Sequence, residues 1–600
     1  MKKCIYLFFI ILTITSIKVF HASAQHMIGD ACMMLPISLE DKTKKAALIV
    51  EGHIVDSYVK KDPKNNTLYT YFTISVATVF KGDKISKEIT AKSPGGKTEE
   101  EWHIITGSLN PTIEDQGIFF LTASQEQDIY EPLGAVQGLI KFTSDGEASD
   151  GLRKYKDTEQ EIRQRIEHLL GKSPTHLQKR KMRKINPSLP GTPTLPVIQS
   201  FSPTNISAGT DKVLTIKGSG FGSIRGTGGK VEFRNCNDGG STWVSPSSIS
   251  YTHWSDTEIR VKVPSSPCAG TGNIRVTNAS GASTISTKAL LVNFSYINIE
   301  AHGITHIPVL TNTDNRGGHS FRLNVDFDEN EPAKEAFYNA LIAWRCNTGV
   351  NFKIGNTTTN NTSEGDGENV VRFALPGELP EGVLGRCLTR LSNCHFNNWY
   401  VVETDLEFSS DINWSYSAGR TPQNQIDFES VAIHELGHAH LIGHVIKHNA
   451  VMHHAIGFGQ QRRDLIEEVE VEAGNYVLDK SGGSRLCGPG NMTPLAEEDC
   501  EDPEGPFEYV NNKPGKDKPV LIFYNYRDDE LVIAISGMEV KNTSLRISNI
   551  NGQIIDNIPI NTENGEFYTT KTLTHLPQAM YLYSLFTDEE KYAGKFIIQK

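Results

Sequence analysis

The segment Val431-Ala-Ile-His-Glu-Leu-Gly-His-Ala-His-Leu-Ile-Gly-His444 sets His434, Glu435 and His438 in HExxH spacing, with His444 six residues further on. On a helix of 3.6 residues per turn, positions four apart share a face, so His434 and His438 can both reach one zinc ion. Glu435, the next residue round, stands at the edge of the metal's open side, where a carboxylate can take a proton from water. Histidine ligands with an open coordination position and an adjacent base are the layout of a zinc hydrolase. A purely structural zinc site needs no such base and usually has four protein ligands.

The elements around this segment have to hold it rigid. Apolar Val431, Ile433, Leu436, Leu441 and Ile442 give the helix a buried side, and Asp427 stands at its N-cap position. Upstream, Phe321-Arg-Leu-Asn-Val-Asp-Phe327 reads as a strand. Residues 331–344 follow as an amphipathic helix, with Pro332 in the first turn and Phe337, Leu341 and Trp344 at helical spacing. Val350-Asn-Phe-Lys-Ile354 and Val401-Val-Glu-Thr-Asp-Leu-Glu-Phe408 read as further strands, and residues 462–476 as a last helix.

This order, the third histidine and Met452 in Asn449-Ala-Val-Met-His-His454 resemble the metzincin clan of zinc peptidases. The eight-residue step from His444 to Met452 resembles its matrixin family. The resemblance implies an α+β catalytic domain (an α/β/α sandwich) holding one catalytic Zn2+ on His434, His438 and His444. It also implies Glu435 as general base, and Met452 in a turn beneath the metal. An edge strand near residues 401–408 would bind extended protein or peptide substrate by sheet addition. Residues 377–394 and the loop after Met452 would shape the specificity pocket. His454 stands where astacin-like metzincins carry a tyrosine, and becomes a candidate catalytic donor to the oxyanion; its bland alternative, shared with His453, is a plain loop residue. His440 and His448 point off the zinc face. Glu467, Glu468, Glu470 and Glu472 could supply the third ligand of a different zinc clan, but read more simply as a charged helix face. Calcium has no assigned ligands.

One residue departs from the clan's pattern: Leu441 occupies the place of its helix-breaking glycine, and the glycine comes two residues later at Gly443. A straight helix would leave His444 roughly 80° round from His434, so a break is required. Either the helix turns at Gly443, or Leu441 takes a left-handed conformation at a cost of about 1 kcal/mol or more.

The remaining sequence bears on location and architecture. Residues 1–24 read as a signal peptide: two lysines, an apolar stretch over 5–17, and Ala22-Ser-Ala24 before cleavage at Gln25. Nothing comparable recurs, so no transmembrane anchor is expected. Eight cysteines remain after Cys4, an even number suited to an exported protein. Sequence proximity suggests Cys236–Cys268, Cys387–Cys394 and Cys487–Cys500, leaving Cys32 and Cys346. A net charge of −12 without a long basic stripe argues against nucleic acid.

Several domains are expected. Residues 25–172 are β-rich, barrel-like or a sandwich, closed by a helix over 158–170. A basic and proline-rich linker spans 173–195. Its run Gln178-Lys-Arg-Lys-Met-Arg-Lys184 is read as a solvated linker, the alternative being a processing site that frees an inhibitory N-terminal domain with Cys32 as a thiolate on the metal. Residues 196–293 resemble the IPT/TIG immunoglobulin-like family through Phe201-Ser-Pro203, Leu214-Thr-Ile-Lys-Gly-Ser-Gly-Phe-Gly222, and Trp254-Ser-Asp-Thr-Glu-Ile-Arg-Val-Lys-Val-Pro264. The peptidase domain spans 294–484, followed by an acidic Gly/Pro linker at 485–519. Residues 520–600 form a C-terminal β-sandwich resembling the sorting domain of Bacteroidota type IX secretion substrates. That resemblance implies the type IX machinery as a partner and a secreted or cell-surface location. The competing class is a cell-surface adhesin carrying a degenerate peptidase scaffold.

Overall fold

The computed structural model describes residues 33–600 except 84–85, 114, 143–146, 179–194, 302–303, 395–397, 484–486, 504–519, 526–529, 537–542, 551, 563–565, 574–575, 578, 587–590 and 599–600. The expected signal peptide, Cys4, Cys32 and residues 179–194 of the basic and proline-rich linker lie outside the described residues.

Alternating apolar residues build the N-terminal domain from β1 (Leu48–Lys61), β2 (Leu68–Lys81) and β3 (Glu88–Pro94). β4 (Glu101–Ile105) pairs instead with the peptidase sheet, while Glu101 and His103 still bond Lys61 and Leu68 of the barrel. β5 (Gln116–Ala123) and β6 (Ile129–Pro132) then return to β1, so five strands close in the order β1-β2-β3-β6-β5-β1. Residues 158–170 are helical as expected, started by the Asp157 side chain, and Ile162 and Ile166 pack on Ile49 and Phe120 of the barrel.

The immunoglobulin-like domain is a two-sheet sandwich. One sheet holds Val197–Ser202, Val213–Ser219, Glu258–Lys262 and Tyr251–Trp254. The other contains β7 (Ser283–Tyr296), whose end continues into the next domain: Ser295 and Tyr296 pair with Gly443 and Ile442, and Phe294 and Tyr296 are buried in the peptidase core.

In the peptidase domain, β8 (His319–Leu323), β9 (Phe352–Ile354), β10 (Asn369–Ala374), β11 (Gly385–Cys394) and β12 (Asn398–Ser409) form the order β9-β8-β10-β12-β11. All neighbours are parallel except β11, which runs antiparallel along β12. Two helices cross this sheet, α1 (Glu331–Thr348) and α2 (Phe428–Ala439). Phe408 and Phe428 meet at 4.7 Å between ring centres, and the Trp344 indole donates to the Ile433 carbonyl at 2.8 Å. Burial of these aromatic side chains, about 1.5–3 kcal/mol each, holds α2 on its bed.

Three expectations change. The strand expected over 321–327 stops at Leu323, because the Asn324 side chain accepts from the Asp326 amide and starts a short helix at Val325–Asp328. The last helix begins later, with Glu467–Val471 leading into α3 (Glu472–Ser481). Residues 462–463 are drawn instead to the start of α2: the Arg462 amide donates to Ser430 Oγ at 2.7 Å, and Arg463 pairs with Asp427. The cysteines pair as Cys236–Cys268, Cys346–Cys500 and Cys394–Cys487, with Cys387 free and buried. Cys387 and Cys394 lie seven residues apart on one extended strand, roughly 23 Å, far beyond disulfide reach. The last two bridges, with Arg345 donating to the carbonyls of Cys500 at 2.9 Å and Asp502 at 2.6 Å, bind the first part of the expected 485–519 linker to the peptidase core. The C-terminal strands from Val520–Asn525 to Lys591–Ile598 form sheets of three and four strands.

A buried ion-pair chain fixes the register of the sheet's active edge. Glu407 on β12 pairs with Arg386 on β11 and Arg372 on β10. Burial alone would raise its pKa, but the two guanidinium groups hold it down to about 2. A depressed carboxyl contributes stability that is present above its unfolded value of about 4.3 and is lost as pH falls toward 2. The expected size is about 3 kcal/mol. Glu407→Gln should therefore destabilise the protein at pH 6 by about that amount and flatten the stability loss between pH 4.5 and 2, read by denaturant unfolding at each pH.

Candidate metal centre and active site

The helix carrying the histidines starts where the sequence suggests. Asp427 caps it by accepting from the Ser430 amide at 3.0 Å, and is itself held by Arg463. Of the two possible breaks the second occurs: the helix ends at Ala439, and Leu441 is the left-handed residue with φ of +61°. Gly443 is not left-handed; it pairs with Ser295 of β7. Leu441 accepts the strained conformation because its side chain is fully buried, while its amide and carbonyl bond to the His438 carbonyl and the Ile297 amide.

That break swings His444 back to the helix. The three Nε2 atoms lie 3.0 Å (His434–His438), 3.1 Å (His438–His444) and 3.3 Å (His434–His444) apart. A tetrahedral zinc with Zn–N bonds near 2.05 Å places its ligand atoms about 3.3 Å apart, so the triangle fits the ion. Each Nδ1 faces an oxygen acceptor: the Val451 carbonyl at 2.8 Å for His434, the Ile442 carbonyl at 2.9 Å for His438, and Asn237 Oδ1 at 3.0 Å for His444. The proton of each neutral ring therefore sits on Nδ1, and three bare Nε2 lone pairs converge. A bound cation would satisfy all three at once. Burial keeps all three rings neutral: it pushes His438 down to about 4, and His434 and His444 well below the ordinary range, helped by their histidine neighbours.

Glu435 is buried beside the triad, and Thr106 Oγ1 of the N-terminal domain lies 3.4 Å from its Oε2. Met452 is fully buried against the helix: a Cβ on Gly437 would sit 2.2 Å from its Sδ. Glu470 is no metal ligand. It is buried and accepts from the amides of Met452 at 2.9 Å and Ile466 at 3.0 Å, fixing the turn under the histidines. Glu467, Glu468 and Glu472 are also outside the histidine cluster. His454 is buried, its ring 6.5 Å from that of His444. His440 is a core residue between Trp344 and Phe352, and His453 makes edge-on ring contacts with His448 and His454. A cavity of about 990 Å³ opens beside His438 and His444, lined also by Thr106, Asn110, Asn237 and Trp243.

Asn237, Thr106 and Glu470 are the residues that spacing does not reveal. Asn237 comes from the immunoglobulin-like domain, 207 residues from the ligand that it orients, on a turn clamped by the Cys236–Cys268 bridge. Loss of such an outer partner typically costs 10–100-fold in metal affinity. Asn237→Ala should weaken zinc binding by about that factor in chelator competition, and Asn237→Asp, which keeps an acceptor, should restore most of it. Leu441→Gly relieves about 1 kcal/mol of backbone strain but removes a buried leucine worth about 2–5 kcal/mol. Its thermal unfolding should therefore show a net loss of about 1–4 kcal/mol.

Residues 322–473 match the matrixin family model, residues 196–296 the IPT/TIG domain, and residues 522–599 the secretion system C-terminal sorting domain. No curated protein matches the chain. Among the described residues, no helix is long and apolar enough to cross a membrane. Family match and histidine geometry agree: this chain carries a matrixin zinc metalloendopeptidase domain, preceded by an IPT/TIG domain and followed by a sorting domain that directs its secretion.

Proposed function

We propose that the chain is an exported endopeptidase in which His434, His438 and His444 hold one zinc ion and Glu435 is the general base. The observation that carries this reading is the convergence of three Nε2 atoms beside a buried carboxylate. Zinc, when bound, supplies Lewis acidity toward the scissile carbonyl and lowers the pKa of water toward about 7. Glu435 takes a proton from the attacking water on a carboxylate oxygen and delivers it to the leaving amine nitrogen. The outer side of β11, paired with β4 in the intact chain, carries the main-chain donors and acceptors along which a protein substrate would lie extended. Met452 supplies an apolar floor, held by Glu470. His454 is the candidate donor to the oxyanion, from its buried place near His444. In sequence, residues 1–24 serve as a signal removed before Gln25, and the type IX machinery carries the protein on to the medium or the cell surface.

Glu435→Ala should keep one zinc per chain by metal analysis yet hydrolyse a protein substrate at least about 10²-fold more slowly. A chelator should abolish hydrolysis by the parent. Parental rates in the variant would remove Glu435 from the role of base.

A further inference from the structure

β4 is covalently part of the barrel domain but hydrogen-bonds into the peptidase sheet beside β11, with Gly96 and Lys97 paired on its far side. It runs antiparallel to β11, with Ile105 opposite Leu388, Ile104 opposite Thr389, His103 opposite Arg390 and Trp102 opposite Leu391. The ladder continues to Thr106, whose amide donates to the Cys387 carbonyl at 3.1 Å and whose hydroxyl accepts from the Cys387 amide at 2.8 Å. The same hydroxyl is 3.4 Å from the carboxylate of Glu435. The chain then turns away at Gly107, left-handed at φ of +80°, whose carbonyl accepts from Val136 within the barrel domain. Trp102 and Ile104 pack against the peptidase core. The barrel domain is held at further points: Leu384 donates to the Met33 carbonyl at 2.9 Å, Leu35 to Gly382 at 2.7 Å, and Asn66 Nδ2 to Gly365 at 3.2 Å.

An extended peptide binds a sheet by using the free donors and acceptors of an edge strand. A general base acts only on a proton within hydrogen-bond reach, directly or through one water. Thr106 meets both conditions at once, bonded to the edge strand and adjacent to Glu435. We infer that β4 and Thr106 occupy the substrate position of the intact chain, so that the N-terminal barrel is an inhibitory domain and peptide can bind only after β4 leaves β11. The blocking group is thus a strand and a threonine hydroxyl. This inference rests on the peptidase reading above.

Ile104 forms part of the ladder and packs on the peptidase core, so Ile104→Pro removes an amide donor from the strand and Ile104→Ala only trims its packing. Both are made in the zinc-loaded full-length chain carrying Glu435→Ala, and binding of an extended peptide ending in a hydroxamate is measured calorimetrically. When the competent state is a minor population, apparent affinity falls by that fraction. Ile104→Pro should therefore bind at least about tenfold tighter than its Glu435→Ala parent, and Ile104→Ala by a smaller factor in the same direction. Should Ile104→Pro fail to fold, Ile104→Ala decides the matter. Parental affinity in the folded variants overturns the inference. The same substitutions with Glu435 intact are assayed on a quenched fluorescent peptide. An affinity gain without hydrolysis in any form would refute the peptidase reading and leave the occupancy standing.

Discussion

Three neutral imidazoles brought within 3.3 Å of one another, lone pair to lone pair, are the arrangement on which the rest of this molecule depends. A single helix can present two of them, at positions four apart. The third requires the helix to stop one residue after His438 and the chain to reverse through a left-handed residue, here a leucine. Nothing in that residue's intrinsic preference favours the conformation. It is imposed by the core that buries Leu441 and by Ile297, whose amide bonds its carbonyl as the chain leaves the immunoglobulin-like domain. Strain at a metal site persists only where its surroundings over-determine it, and here they do.

The immunoglobulin-like domain is consequently more than a spacer. Its last strand pairs with Ile442 and Gly443, between the helix break and His444, and Asn237 bonds the outer nitrogen of His444. The barrel domain contributes on the opposite side, where β11 would otherwise expose an edge beside the Glu435 carboxylate. An unpaired edge is a standing template for any extended chain. Covering it with β4 suppresses such pairing in the intact molecule. Three sequence domains thus converge on one site.

What could be read from sequence divides along the same line. The His434–His438 pair, the Asp427 cap and the 331–344 helix depend on neighbours within a turn or two, and the structure has each of them. The position of His444 depended on a conformation for which Leu441 carries no local signal. The disulfides show the limit plainly: proximity in sequence suggested Cys387–Cys394, but a strand separates residues that a helix or turn would bring together. Cys236–Cys268 was legible because its partners are close in chain and in space. Asn237 and Thr106 lie 207 and 329 residues from the groups that they touch, and no periodicity connects them. Glu470 looked like one of several helix-face carboxylates; only its burial against the Met452 amide distinguishes it.

Gly437 shows how closely the ligand helix and the turn beneath it are coupled. Inside a helix glycine costs about 1 kcal/mol relative to alanine, so its presence between Glu435 and His438 needs a cause. A Cβ there would lie 2.2 Å from Met452 Sδ and 2.9 Å from the Trp344 ring. The methionine therefore approaches the helix backbone itself, directly under the turn that carries both metal-facing histidines. Its amide is held by Glu470 and its carbonyl by Val445, just beyond His444. Val451, the residue before it, supplies the carbonyl that orients His434. One short turn thus fixes the orientation of the first ligand, braces the chain beyond the third, and sets the depth at which the helix sits. Its sequence can change only where those three constraints are still met.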